Sequence, residues 1–162
     1  MPLLTLLQEQ RVFSVSAFGP APRLHGVLEH LKKELAEAQE SPGDVTEWAD
    51  CFLLCVDGAL RAGGDPLHID AYMSHGIMPE ESKVQDGWSF DDIHFELSAL
   101  EGKIHQWRPW AVMAYRIWLA AYHHGHQKLI PAAAAKLAIN KSRTWPDWRK
   151  VAIDQAIEHI KD

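Results

Sequence analysis

The chain has 162 residues and a formal net charge of -6, long enough for one domain with a real core and of the wrong sign for a general electrostatic grip on nucleic acid. Hydrophobic residues make up 47% and charged residues 23%, the balance of an ordinary globular protein. No apolar run reaches the roughly 18 residues of a membrane span, and Met1 to Leu7 is apolar but lacks the basic start and small-residue cleavage site of a signal peptide. A membrane partner is therefore excluded and the cytoplasm is the expected location.

Periodicity is helical nearly throughout. From Arg23 to Gln39, apolar residues recur at Leu24, Val27, Leu28, Leu31, Leu35 and Ala38, one face of a helix. Ser41-Pro42-Gly43-Asp44 breaks that helix, and Asp44 caps a second one running through Trp48, Phe52, Leu53, Val56 and Leu60 to Gly63-Gly64. So short a link makes the two antiparallel neighbours. Cys51 and Cys55 fall four apart on the second helix and read as buried thiols rather than a disulfide framework.

Asp65-Pro66 opens a short helix that stops by Gly76, and Ile77 to Trp88 reads as loop. Ser89 with Asp92 forms a capping box for a helix expected to reach about Trp107. Pro109 and Pro131 each occupy the first turn of a further helix, with Gly125 between them, and Asp147 to Lys161 is expected to be helical. No strand alternation or internal repeat is present, so the fold class is all-α, in one domain spanning residues 1–162.

The chemistry lies in four carboxylates. Glu34 and Glu37 share a face of the first helix, and Glu47 and Asp50 repeat that spacing on its partner. Glu34 lies in line with Val27, Leu31 and Ala38, where a carboxylate pays a desolvation penalty unless it is paired or holds a metal. Oxygen ligands of this kind suit Mg²⁺ or Mn²⁺, which would also let an acidic chain bind a polyanionic nucleotide. The alternative is a solvated helix face, with Asp44 and Glu47 serving only as a capping box; spacing alone leaves both open. Asp57 continues the face of Asp50. Lys136, Asn140 and Arg143 fall at 0, +4 and +7, a helix face able to hold phosphates or simply to be solvated. His123, His124 and His126 lack ligand spacing, and their place beside a helix C-terminus suits the helix dipole.

Glu34-Leu-Ala-Glu37 followed by Glu47-Trp-Ala-Asp50 resembles the signature of the MazG-like all-α NTP pyrophosphatases. Phe18-Gly19-Pro20-Ala21-Pro22-Arg23, His30-Leu-Lys-Lys33-Glu34, Gly43-Asp44, Leu54-Cys-Val-Asp57-Gly-Ala-Leu-Arg61 and Lys136-x-x-x-Asn140-x-x-Arg143-x-Trp145-Pro146 resemble its dATP/dGTP diphosphohydrolase N-terminal-domain-like branch. The phage MazZ-type enzymes acting on dGTP and GTP are similar too. The resemblance implies a helical bundle built on the carboxylate hairpin. In the compact family form the Lys/Asn/Arg helix soon follows, so Asp65 to Ile130 reads as a helical insertion.

The resemblance further implies hydrolysis of a (d)NTP to (d)NMP and pyrophosphate with Mg²⁺ or Mn²⁺ as cofactor, on purine substrates (dGTP, GTP or dATP). It makes Glu34, Glu37, Glu47 and Asp50 metal ligands, with Glu34 or Glu37 also acting on the water. It gives Lys33, Lys136, Asn140 and Arg143 to the phosphates, and Phe18, Arg23 and Trp145 to base, sugar or phosphate; Phe18 and Trp145 read equally as core aromatics and Lys33 as a surface lysine. Relatives associate, so a homodimer or homotetramer is expected. The competing functions are a dCTP/dUTP pyrophosphatase and a non-catalytic helical nucleotide-binding or interaction module.

Overall fold

The computed structural model describes residues 1–77 and 89–161. Its elements are α1 (Leu3–Phe18), α2 (Leu24–Glu40), α3 (Val45–Arg61), α4 (Pro66–Ala71, prolonged by a π-helical turn Tyr72–Ile77), α5 (Phe90–Glu101), α6 (Trp107–His123), α7 (Leu129–Ser142) and a 3₁₀ turn Trp148–Lys150. No strand occurs among the described residues, as the all-α reading expects. Trp88 and nearly all of the stretch read as loop lie outside the described residues.

α3 is the axis of the molecule. Trp48, Ala49, Cys51, Phe52, Leu53, Cys55, Val56 and Ala59 are all buried, so the helix is apolar on almost every side and is enclosed by neighbours. α2 and α3 form the expected hairpin, with α6, α7 and α1 packed around α3. The hairpin turn is pinned from several directions. Asp44 accepts from the Thr46 backbone N–H at 2.9 Å, while the Trp48 indole and His126 Nε2 both donate to the Pro42 carbonyl at 2.9 Å.

Residues 65–130, read from the sequence as an insertion, supply α4, α5 and α6. Trp110, Met113, Ala114 and Ile117 of α6 belong to the same buried cluster as Leu6 of α1, Leu31 of α2 and Leu137 of α7. α6 approaches α3 so closely that a Cβ at Gly58 would lie 2.6 Å from Cζ3 of the Trp110 ring. This segment is a structural half of the core and encloses α3 on the side away from the acidic face.

Two expected helices are corrected. The helix opened by the Ser89–Asp92 capping box ends at Glu101, before Trp107; Lys103 and Gln106 close backbone turns there, and the buried Trp110 indole takes the Ile104 carbonyl at 2.8 Å. Beyond Trp148–Lys150, residues 151–161 form no helix. Three of their carbonyls accept from a long-range partner. Arg23 is 8% exposed and its guanidinium donates to the carbonyls of Val151, Ala152 and Gln155. The tail lies flat against α2, so close that a Cβ on Gly26 would meet the Gln155 backbone. Arg23 itself has φ +49°, a left-handed conformation costing about 1 kcal/mol or more in a non-glycine residue, which these bonds offset.

Candidate active site

The acidic face of the hairpin and the C-terminal strap line one narrow, partly open cleft of about 80 Å³. Glu34, Asp50, Asp57 and Asn140 contribute polar groups, and Phe13, Phe18 and Trp145 an apolar end; Gln155 and Ile157 of the strap form part of the wall.

At the acidic end, one carboxylate oxygen each from Glu34, Glu37 and Glu47 lie within 4.8 Å of one another. Helical spacing on α2 and the antiparallel partner α3 bring them together. Glu34 is buried and accepts from His30 Nε2 at 3.1 Å. Burial pushes its carboxyl up, but the His30 hydrogen bond together with the His30 and Lys33 charges outweighs this and holds it below the usual range. Glu47 goes the other way, raised by burial and then by repulsion from Glu37 and Glu34. Repulsion by Glu37 and Glu34 is the second cause of that rise, so the trio keeps negative charge that its neighbours leave unneutralised. Three hard oxygen donors with a charge deficit fit a divalent ion such as Mg²⁺ or Mn²⁺.

Asp50, the fourth carboxylate, stands outside this trio and is paired with Lys136 Nζ at 2.8 Å. Burial raises its carboxyl, and Lys136 opposes that rise. Asn140 lines the cleft from α7, and Lys136 adjoins it through its pair with Asp50; α7 stops at Ser142, so Arg143 is its extended C-cap rather than a third residue on the helical face. Arg143 donates to Asn140 Oδ1 at 3.1 Å. Lys33 pairs with Glu158 of the strap at the surface, which holds its ammonium charged beyond the ordinary lysine range. Arg23 lines the cleft, but its donors go to the strap carbonyls described above.

The opposite end is aromatic. Phe18 and Trp145 meet edge to face at 4.9 Å, and Phe13 closes the triangle at 5.6 Å from Phe18 and 5.9 Å from Trp145. The Trp145 indole donates to the Asn140 carbonyl at 2.9 Å, which fixes the ring to the end of α7. Arg61 holds the segment carrying Phe18 in place: its guanidinium donates to Asp57 and Ser14, and to the carbonyls of Ser14, Gly19 and Ala21. Asp57 is thus the counter-ion of Arg61 at 3.0 Å.

The histidine cluster is dispersed, consistent with its spacing. His124 stacks on Trp48 at 5.5 Å, His126 pins the hairpin turn and His123 sits edge-on to Tyr122. Sequence reasoning gave no role to Gln10, to Phe13 or to His30, although His30 opens one of the quoted motifs. His30 is one helical turn before Glu34, and Gln10 is a polar residue on a buried stripe formed with Leu3, Leu6, Leu7 and Ser14; both spacings were signals available in the sequence.

A family model described as dATP/dGTP pyrophosphohydrolase matches residues 6–78 and 83–162. The match takes in most of the segment between α3 and α7 read from the sequence as an insertion. No curated protein and no solved structure matches the chain. No helix among the described residues is long and apolar enough to cross a membrane.

Proposed function

The chain belongs to the dATP/dGTP pyrophosphohydrolase family and is a hydrolase acting on nucleoside triphosphates, and we propose that it converts a purine (d)NTP to the monophosphate and pyrophosphate in the cleft between α2, α3 and α7. The observation that carries this reading is the convergence of Glu34, Glu37 and Glu47 within 4.8 Å, with Glu34 also lining a cleft that holds Phe18 and Trp145.

In this reading Glu34, Glu37 and Glu47, with Asp50 beside them, hold Mg²⁺ or Mn²⁺. Bound there, the ion supplies charge neutralisation of the triphosphate and polarisation of the α-phosphoryl oxygen. Glu37 or Glu34 orients the attacking water and takes its proton. The water oxygen bonds to the α-phosphorus, and the α–β bridging oxygen departs with pyrophosphate. Lys136, which neutralises Asp50 at 2.8 Å, and Arg143 offer cations to the phosphates, with Asn140 between them and Lys33 at the strap. Phe18 and Trp145 stack the base. Arg23 acts indirectly, by holding the strap that closes the cleft.

A homo-oligomer is part of the reading, supported by Val12, Val15 and Ile139, which are 74%, 48% and 48% exposed on α1 and α7. A monomeric mass in light scattering at micromolar concentration refutes it. The activity is tested by incubating the protein with each (d)NTP and Mg²⁺ or Mn²⁺ and scoring monophosphate and pyrophosphate. Purine turnover, abolished by a chelator and lowered by about 10²-fold or more in Glu37→Gln and Glu47→Gln, is the expected result. No turnover, pyrimidine preference, or undiminished activity in both variants overturns it.

A further inference from the structure

Gln10 is 4% exposed and belongs to the lining of the cleft. Its Nε2 donates to Asp57 Oδ1 at 3.3 Å, while Asp57 Oδ2 accepts from Arg61 Nε at 3.0 Å. A carboxylate in an ion pair only accepts hydrogen bonds. The orientation of the Gln10 amide is therefore decided: its nitrogen belongs on the Asp57 side and its oxygen on the other. That oxygen is buried and has no hydrogen-bond partner among the described residues. A buried acceptor without a donor is rare in a native fold and calls for an explanation.

The aromatic end cannot supply selectivity alone. Every base has a π-face, so stacking on Phe18 and Trp145 tolerates any of them, whereas a buried hydrogen-bonding group rejects ligands that leave it unpaired. We propose that Gln10 is the base-reading residue of this cleft, its Oε1 accepting an N–H of the exocyclic amino group of a purine held against Phe18 and Trp145. The Asp57–Arg61 pair positions it: Arg61 fixes Asp57, and Asp57 fixes the amide so that an acceptor, not a donor, meets the base. The inference rests on the nucleotide reading of the cleft and adds to it the group that selects the base.

The test compares ligands that differ by one amino group. Binding of dGMP against dIMP, and of dAMP against purine deoxyriboside monophosphate, is measured by equilibrium titration, with turnover of the corresponding triphosphates measured in parallel. Wild-type protein is expected to prefer the amino-bearing member of at least one pair by about tenfold or more. In Gln10→Leu and Gln10→Met the preference is expected to fall to within about threefold. Equal binding of both members in both pairs by the wild type overturns the proposal without any variant. So does a preference that survives in either folded variant. A binding preference that vanishes in the variants, in a protein that hydrolyses none of the triphosphates, supports the base reader and refutes the hydrolase mechanism instead.

Discussion

Replacing Gly58 with alanine tests whether α6 is a structural half of the core or an appendage to the hairpin. On helix propensity alone the change stabilises α3 by about 1 kcal/mol. Against that, the new methyl would overlap Cε3 and Cδ2 of Trp110 and stand 2.6 Å from Cζ3, where carbon–carbon contacts want about 3.5–4.0 Å, so the ring must retreat by more than about 1 Å. It has nowhere to go, being fully buried and held by its indole hydrogen bond to the Ile104 carbonyl at 2.8 Å. Overpacking of this kind costs about 1–3 kcal/mol, and the rigidity of the ring places it at the upper end. The net expectation is destabilisation of about 2 kcal/mol, seen as a Tm lower by about 4–8 °C. Circular dichroism melts and urea titrations provide the assay, with Gly43→Ala, which meets nothing within 4 Å, as a control expected to stay within about 0.5 kcal/mol. Combining Gly58→Ala with Trp110→Phe should recover part of the loss. A Gly58→Ala protein as stable as wild type would refute the close packing of α6 on α3.

Other consequences follow from the same contacts. Arg61→Ala strands the buried Asp57 carboxylate and frees the Phe18 segment, so it should cost about 3–5 kcal/mol in urea denaturation, and the double variant Asp57→Asn/Arg61→Ala should be less destabilised than Arg61→Ala alone. Asp44→Ala removes the α3 cap and should cost about 1 kcal/mol. The Thr46 hydroxyl and backbone N–H hold the Asp44 carboxyl below its ordinary value of 3.8; the cap contribution is therefore complete above that pH and lost as pH falls through the depressed folded value. A difference between wild type and variant that persists unchanged at pH 2 contradicts this. Burial pushes the Cys51 and Cys55 thiols well above their ordinary value, so a thiol reagent at pH 8 should label neither in the native protein and both in denaturant.

The hairpin was legible because its determinants are local. The α2 stripe, the Asp44 cap and the carboxylate spacing lie within residues 24–57, and helical geometry alone brings Glu34, Glu37 and Glu47 together. The same holds for the Ser89–Asp92 capping box, whose two reciprocal bonds both form. What was not legible depends on partners far along the chain. The 151–161 stretch has a helix-compatible pattern, yet Arg23, 128 residues before Val151, takes its carbonyls. The Asp50–Lys136 pair was not legible either, because spacing on a helix does not reveal which cation a neighbouring helix will present. α1 was passed over as a short apolar beginning, and with it Gln10, since its stripe matters only once α3 is known to lie beneath.

The Arg23 clasp also bears on the order in which the molecule can assemble. The hairpin closes a short loop, and its contacts become available as soon as α3 has left the ribosome. The wall of the cleft is a contact of very long range, and long-range closure comes late. During synthesis the chain therefore holds the acidic face, with its repelling carboxylates, before the strap exists to cover one side of it. A nascent chain halted near residue 150 would keep a folded hairpin and offer an open trough where the finished protein has a cleft.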